Sequence, residues 1–254
     1  MNYWYNIFHK NFFSKITIPS YNPDNNQLNK LILHRAYIHN KNWKFESLKE
    51  NFIDYEIIAN DYNKDSIYFL YDENLNNIRQ EKLINRANFL NTSPSYRANM
   101  SITIRDQLKT CYQGEYSSFM FAKRGATLSF QNSCLNKKYN NYLIFTNYID
   151  EPVKNKFELK LVNVKSKKIV KNYLCQTNCS NIFKLDNSMN SDNCILLTRK
   201  YLGAPQLFSY SIEEGSVSFE HTQPPHCYVW ESKYIGKLKK DYIKIFNNSF
   251  SNDY

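Results

Sequence analysis

The sequence predicts an all-β protein: an antiparallel β-sandwich, in one or two stacked β-rich modules, with a C-terminal amphipathic helix. Three observations carry that expectation. Short runs rich in Ile, Val, Phe and Tyr recur about every ten residues. Most of them alternate apolar and polar side chains with period two, and helical spacing is confined to two stretches.

The first predicted strands are Phe13 to Ile18, Leu31 to Tyr37, Tyr55 to Ala59 and Ile67 to Tyr71. In the last of these, Ile67, Phe69 and Tyr71 share one face. Asn74 to Phe89 carries Leu75, Ile78, Leu83, Ile84 and Ala87 among charged residues and predicts one short helix. After the polar loop Leu90 to Ser95, Met100, Ile102 and Ile104 alternate with Ser101, Thr103 and Arg105, the pattern of a half-buried strand.

Further strands are expected at Tyr116 to Ala122, Ala126 to Phe130 and Tyr142 to Asn147. Phe157, Leu159 and Leu161 lead through Lys165-Ser166-Lys167-Lys168 into Ile169 to Leu174, a hairpin signal. Ile182 to Leu185, Cys194 to Arg199, Leu207 to Tyr210 and Val217 to Glu220 complete the series, with Glu213-Glu214-Gly215 as the last turn. From Tyr234 to Phe246 apolar residues recur at helical spacing, and Lys233, Lys237, Lys240 and Lys244 take the opposite side. Such a helix is expected to cover an open sheet while its lysines stay in water. The domain expectation is thus a β-rich unit with a short helix over residues 1–92, the main sandwich over 93–230, and a basic helix and tail over 231–254.

At 254 residues and 42% hydrophobic content the chain can bury a sizeable core. Against 21 Tyr and 17 Phe stand only 5 Gly, which excludes collagen-like and linker-like classes. Neither glycine-rich phosphate loop occurs, so Rossmann and P-loop nucleotide binding are not expected. No apolar run approaches the roughly 18 residues that span a bilayer, and no secretory signal opens the chain, so a cytoplasmic protein with reduced thiols is expected. The aromatic start, Tyr3-Trp4-Tyr5 to Phe12-Phe13, is expected to pack on the fold, with peripheral membrane contact as its alternative.

A net charge of +10 admits a polyanion or a protein partner. Lysine dominates over arginine, however, which disfavours a dedicated nucleic-acid reader, since base and phosphate recognition prefers the planar guanidinium fork.

Four constellations could carry chemistry. Tyr112, Gln113, Glu115 and Tyr116 flank Gly114 and are expected to crowd one turn, where an aromatic face beside amide and carboxylate suits a saccharide or sugar-phosphate ligand. Arg97 and Arg105, scarce arginines in a lysine-rich chain, join that expected site as anion forks. Glu220, His221 and His226 flank Pro224-Pro225 and could hold a divalent metal, although neighbouring strand residues point to opposite sides. Cys175 and Cys179 have a CxxxC spacing without a second pair, and neither Cys111 nor Cys227 lies in a nucleophile signature.

Three functional expectations follow. A carbohydrate-binding or carbohydrate-processing protein leads. A metal-dependent enzyme that activates water through His221, His226 and a carboxylate is the first alternative. The other is a structural or assembly protein docking to a polyanion or partner chain through a lysine face.

Overall fold

The structure, a computed structural model, describes residues 2–17, 21–22, 27–28, 32–48, 56–57, 65–71, 74–83, 99–113, 115–117, 127–129, 137–187, 193–221, 233–246 and 249. It is all-β, in several antiparallel sheets with one C-terminal helix. The chain divides into two compact units, residues 1–118 with 150–153 and residues 119–149 with 154–254. The division falls at 118/119 rather than 92/93, because the strand at Asn99–Ile104 pairs along its whole length with Phe12–Thr17.

The first unit contains β1 (Asn2–Tyr5), β2 (Phe8–His9), β3 (Phe12–Thr17), β4 (Tyr21–Asn22), β5 (Gln27–Leu28), β6 (Ile32–His39) and β7 (Asn42–Ser47). It continues with β8 (Glu56–Ile57), β9 (Ile67–Tyr71), β10 (Arg79–Gln80), β11 (Asn99–Ile104), β12 (Leu108–Gln113) and β13 (Glu115–Ser117). One sheet has the order β10-β7-β6-β9-β1-β13, a second the order β12-β11-β3-β2 with β8 beside β3, and β4 pairs with β5. The β6–β7 hairpin closes through the two-residue turn Asn40-Lys41, both of positive φ, and the β11–β12 hairpin through the three residues 105–107, of which Arg105 and Asp106 have positive φ. The two-residue turn type matches the right-handed twist of the paired strands.

The aromatic N-terminus packs on the fold: Tyr3, Trp4, Tyr5 and Phe12 are buried. Phe69 gathers Tyr3 at 5.5 Å, His34 at 5.4 Å and Phe45 at 5.9 Å between ring centroids. Offset and edge contacts of this kind add to the burial of the rings. The predicted helix from Asn74 does not form over residues 74–83. There Asn76 N donates to Asn74 Oδ1 at 2.9 Å, Asn77 takes a φ of 64° and β10 pairs with β7. Asparagine side chains compete for backbone donors that a helix would need. Residues 84–89 of that prediction lie outside the described residues.

The second unit contains β14 (Thr127–Ser129), β15 (Asn140–Asn147), β16 (Lys156–Asn163), β17 (Lys168–Gln176) and β18 (Cys179–Lys184). β19 (Cys194–Thr198), β20 (Ala204–Ser211), β21 (Ser216–His221) and the helix α1 (Lys233–Phe246) follow. Its four-stranded sheets run β14-β19-β16-β17 and β18-β15-β20-β21. A single apolar cluster takes Leu143, Phe145 and Leu207 from one sheet and Phe157, Leu159, Leu161, Tyr173 and Leu196 from the other. The two sheets therefore share one core, which is the arrangement of a β-sandwich.

Both faces of β20 are buried along its length, so this strand is central in a stronger sense than its alternation suggests. Gly203 enters it where a Cβ would lie 2.4 Å from the Phe145 ring and 2.8 Å from the Thr146 carbonyl oxygen. Only glycine fits that approach. At the strand ends asparagines satisfy buried backbone groups: Asn178 Oδ1 accepts from Ile149 N at 2.8 Å, and Asn181 Nδ2 donates to the carbonyls of Phe145 and Gln176.

α1 covers the outer face of the β16 sheet, as its pattern predicts. Phe246, with Tyr242 and Ile243, packs on Val162, Leu197 and Ile195, while Lys237, Lys240 and Lys244 are exposed. Ser249 Oγ donates to the Phe246 carbonyl just beyond the last turn, where helix carbonyls lack intrahelical donors.

Candidate functional site

The expected saccharide residues fall on two sheets. Tyr112 and Gln113 end β12, which pairs with β11, whereas Glu115 and Tyr116 begin β13, which pairs with β1 in another sheet. The segment is strand on either side of position 114, rather than the two arms of one hairpin. Arg105 is an exposed turn residue at the far end of the β11–β12 ribbon, and Tyr112 stands opposite Met100 near its open end. Met100 lies five residues from Arg105, so at about 3.4 Å per strand residue the ribbon spaces the backbones of Arg105 and Tyr112 roughly 17 Å apart. Arg97 lies outside the described residues.

Glu220 is exposed and opposite Leu207, and His221 is opposite Gln206, both within β21. His226 lies outside the described residues. Among the described residues there is no group of three or more His, Cys, Asp or Glu arranged to hold a metal ion. Glu115 belongs to the first unit and Glu220 and His221 to the second.

Cys175 and Cys179 are buried, and burial, with the neighbouring Cys179, pushes the Cys175 thiol well above its ordinary range. Nucleophilic and metal-binding cysteines need the reverse shift. Cys179 Sγ instead donates to the Gln176 carbonyl at 3.2 Å where the chain passes from β17 to β18. These thiols pack the sandwich. Cys111, by contrast, is an exposed thiol on β12.

One polar cluster had no signal in the linear sequence. Across β6 and β7, Arg35 stands opposite Glu46 and Tyr37 opposite Lys44. Tyr37 Oη donates to Glu46 Oε1 at 2.6 Å, Lys44 Nζ to the same oxygen at 2.8 Å, and Arg35 to Glu46 Oε2. The Arg35 guanidinium also lies 5.0 Å from the Tyr37 ring centroid. Burial alone would raise the Glu46 pKa, but hydrogen bonds from Lys44, Tyr37 and Arg35 outweigh it and bring it down to about 2. The carboxylate is thus held ionised and engaged by its own neighbours, a geometry that stiffens the hairpin.

The most distinctive surface is the ribbon of β16 and β17. Its one carboxylate, Glu158, stands opposite Leu174 and pairs with Lys160; residues 159–185 contain no Asp or Glu, and Lys165, Lys167, Lys168 and Lys171 are all exposed around its tip. The tip is built locally: Asn163 Oδ1 accepts from Ser166 N at 2.8 Å and from Ser166 Oγ at 3.0 Å, and Lys167 has a φ of 54°. The short asparagine side chain thereby folds four residues into a compact turn that projects lysines into water.

β17 is an outer strand of its sheet, and the described α1 side chains Tyr242, Ile243 and Phe246 pack on Val162, Ile195 and Leu197 of its neighbours β16 and β19. Its apolar side chains stay open: Ile169 and Val170 are each 37% exposed and Leu174 is 62% exposed. These are three of the eight exposed large hydrophobics found among the described residues. Register explains the placement. Val162, on the face under α1, stands opposite Ile169, while Val170 is the extra residue of a bulge between Leu161 and Val162.

On the same sheet Lys160 is fully buried, with its ammonium 3.0 Å from Glu158 Oε2 and 3.1 Å from Asn172 Oδ1. A buried charge requires such partners. Lysines on this sheet thus divide into one that is structural and several that are offered to solvent.

No protein-family model, curated protein or solved structure matches the chain.

Proposed function

We propose that the protein is a docking or assembly protein that binds a polyanionic surface through the lysine face of the β16–β17 ribbon. The observation that carries this reading is the cluster of Lys165, Lys167, Lys168 and Lys171 on one projecting tip, in a stretch of chain free of carboxylates. Isolated surface lysines are common, and each gains little from a single counter-charge. A cluster behaves differently, because the potentials of neighbouring ammonium groups add over distances shorter than the screening length of about 8 Å at physiological salt.

The saccharide reading draws less support, since Arg105 and Tyr112 stand at opposite ends of their ribbon. A metal-dependent reading would rest on His221 and His226, and the described residues add no further ligand cluster to them. The lysine face is already assembled.

The test is binding of the full chain to fluorescein-labelled polyphosphate across a salt series. Affinity is expected to fall linearly on a double-logarithmic plot as counterions are released. Combined replacement of Lys165, Lys167, Lys168 and Lys171 by Gln is expected to weaken binding at least tenfold and flatten that slope. Unchanged affinity in the quadruple variant, or binding indifferent to salt, would overturn the proposal.

A further inference from the structure

Resting on the lysine-face reading, we infer that the polyanion is the headgroup layer of an anionic lipid bilayer, and that Ile169, Val170 and Leu174 enter its apolar boundary. The lysines by themselves specify only negative charge. The exposed aliphatic side chains beside them specify what lies behind it.

Lys168 and Lys171 bracket Ile169 and Val170 on one outer strand, with Leu174 three residues beyond Lys171. A bilayer surface offers this alternation of demands within a few ångströms, anionic headgroups above and acyl chains below. Lysine suits the boundary because its aliphatic stem lies along apolar material while the ammonium remains at headgroup level. At the end of α1, Ile245 is 48% exposed next to the exposed Lys244, which repeats the pairing of charge and aliphatic surface.

Two other occupants fit less well. Single-stranded nucleic acid is gripped by aromatic rings and guanidinium planes that stack on bases. The tip offers neither, since the exposed side chains of 165–171 are lysine, serine, isoleucine and valine. An acidic peptide added as a further strand would need an unbroken row of backbone donors and acceptors on β17. The bulge at Val170 interrupts that row, and lysines flank it on both sides, two devices that block edge-to-edge pairing. What remains is an edge ribbon whose exposed aliphatic side chains lie among lysines, suited to a deformable apolar medium.

The decisive measurement is co-sedimentation of the full chain with vesicles of mixed phosphatidylcholine and phosphatidylserine, beside vesicles of phosphatidylcholine alone and labelled polyphosphate. The wild-type chain is expected to bind the anionic vesicles and to leave the neutral ones. Combined Ile169→Ser, Val170→Ser and Leu174→Ser is expected to lower vesicle affinity about tenfold or more, from the lost burial of three aliphatic side chains, while polyphosphate affinity stays unchanged. Ile169 and Val170 are each only 37% exposed, so the thermal midpoint is expected to fall somewhat, and a retained cooperative transition with unchanged polyphosphate affinity checks that the variant is folded. In Val170→Trp the added indole should shift its emission to the blue on anionic vesicles and be quenched by brominated acyl chains.

Vesicle binding that survives the triple replacement, or an unquenched indole, would overturn the bilayer inference. So would polyphosphate or RNA binding by a wild-type chain that ignores anionic vesicles, an outcome that leaves the lysine face standing. A wild-type chain that binds neither polyphosphate nor vesicles overturns both readings.

Discussion

Glu46 shows how one carboxylate is committed by its surroundings. Its pKa is lowered from 4.5 to about 2, against the burial that would raise it, by hydrogen bonds from Lys44, Tyr37 and Arg35. A depressed carboxyl binds fewer protons folded than unfolded, so its contribution to stability is complete above pH 4.5 and is lost as pH falls toward about 2. Thermal midpoints measured across that window should fall for the wild-type chain. Glu46→Gln should flatten this limb and sit below the wild-type midpoint at neutral pH. Lys167 makes the opposite bargain, since its φ of 54° is one that glycine adopts without strain. Lys167→Gly is therefore expected to stabilise the chain by up to about 1 kcal/mol in chemical denaturation. The same change should weaken anionic-vesicle binding roughly fivefold, the share of one lysine near a charged surface. Stability and docking moving together would contradict the role assigned to this residue.

Among the elements, β20 and β17 mark the two extremes. β20 is buried throughout, and the glycine before it admits Phe145 where any Cβ would collide. The Phe145 ring is itself fully buried and has nowhere to retreat. Gly203→Ala should accordingly cost about 1–3 kcal/mol, read as a lower denaturation midpoint, by overpacking a filled core. β17 has the same antiparallel pairing on one side only, and its Ile169, Val170 and Leu174 are exposed. Its place as the second arm of a hairpin was plain in the sequence; its exposure was not, because a strand pattern is silent on whether anything covers its faces. The bulge at Val170 was equally invisible, since it arises from the register against β16. In Asn74 to Gln80 local asparagine hydrogen bonds and pairing with β7 overrode an apolar spacing that read as helical.

Over the whole molecule a charge of +10 attracts any polyanion to some degree, so a local docking face must be distinguished from general attraction. Lys10, Lys41, Lys82 and Lys109 are exposed residues of the first unit and supply a charge-matched control. Replacing these four by Gln removes the same charge as replacing Lys165, Lys167, Lys168 and Lys171. Polyphosphate affinity should then fall by less than about threefold, because screening confines each lysine's influence to its neighbourhood. An equal loss in both variants would show that net charge governs binding.

The linear order of residues was sufficient for the all-β class, most strands of the second unit, the C-terminal helix and the turn at Lys165 to Lys168, because side-chain periodicity and turn chemistry act over a few neighbouring positions; it did not show the strands at Asn2–Tyr5, Asn42–Ser47 and Leu108–Gln113. Tertiary structure alone decided that β11 joins the first unit, that Arg105 and Tyr112 are held apart, and that Arg35, Tyr37 and Lys44 close around Glu46. It also decided which lysines and aliphatic side chains of β16 and β17 meet solvent. Those outcomes depend on pairing between segments far apart in the chain, and pairing is set by the total burial that a register achieves, a quantity that belongs to no single segment.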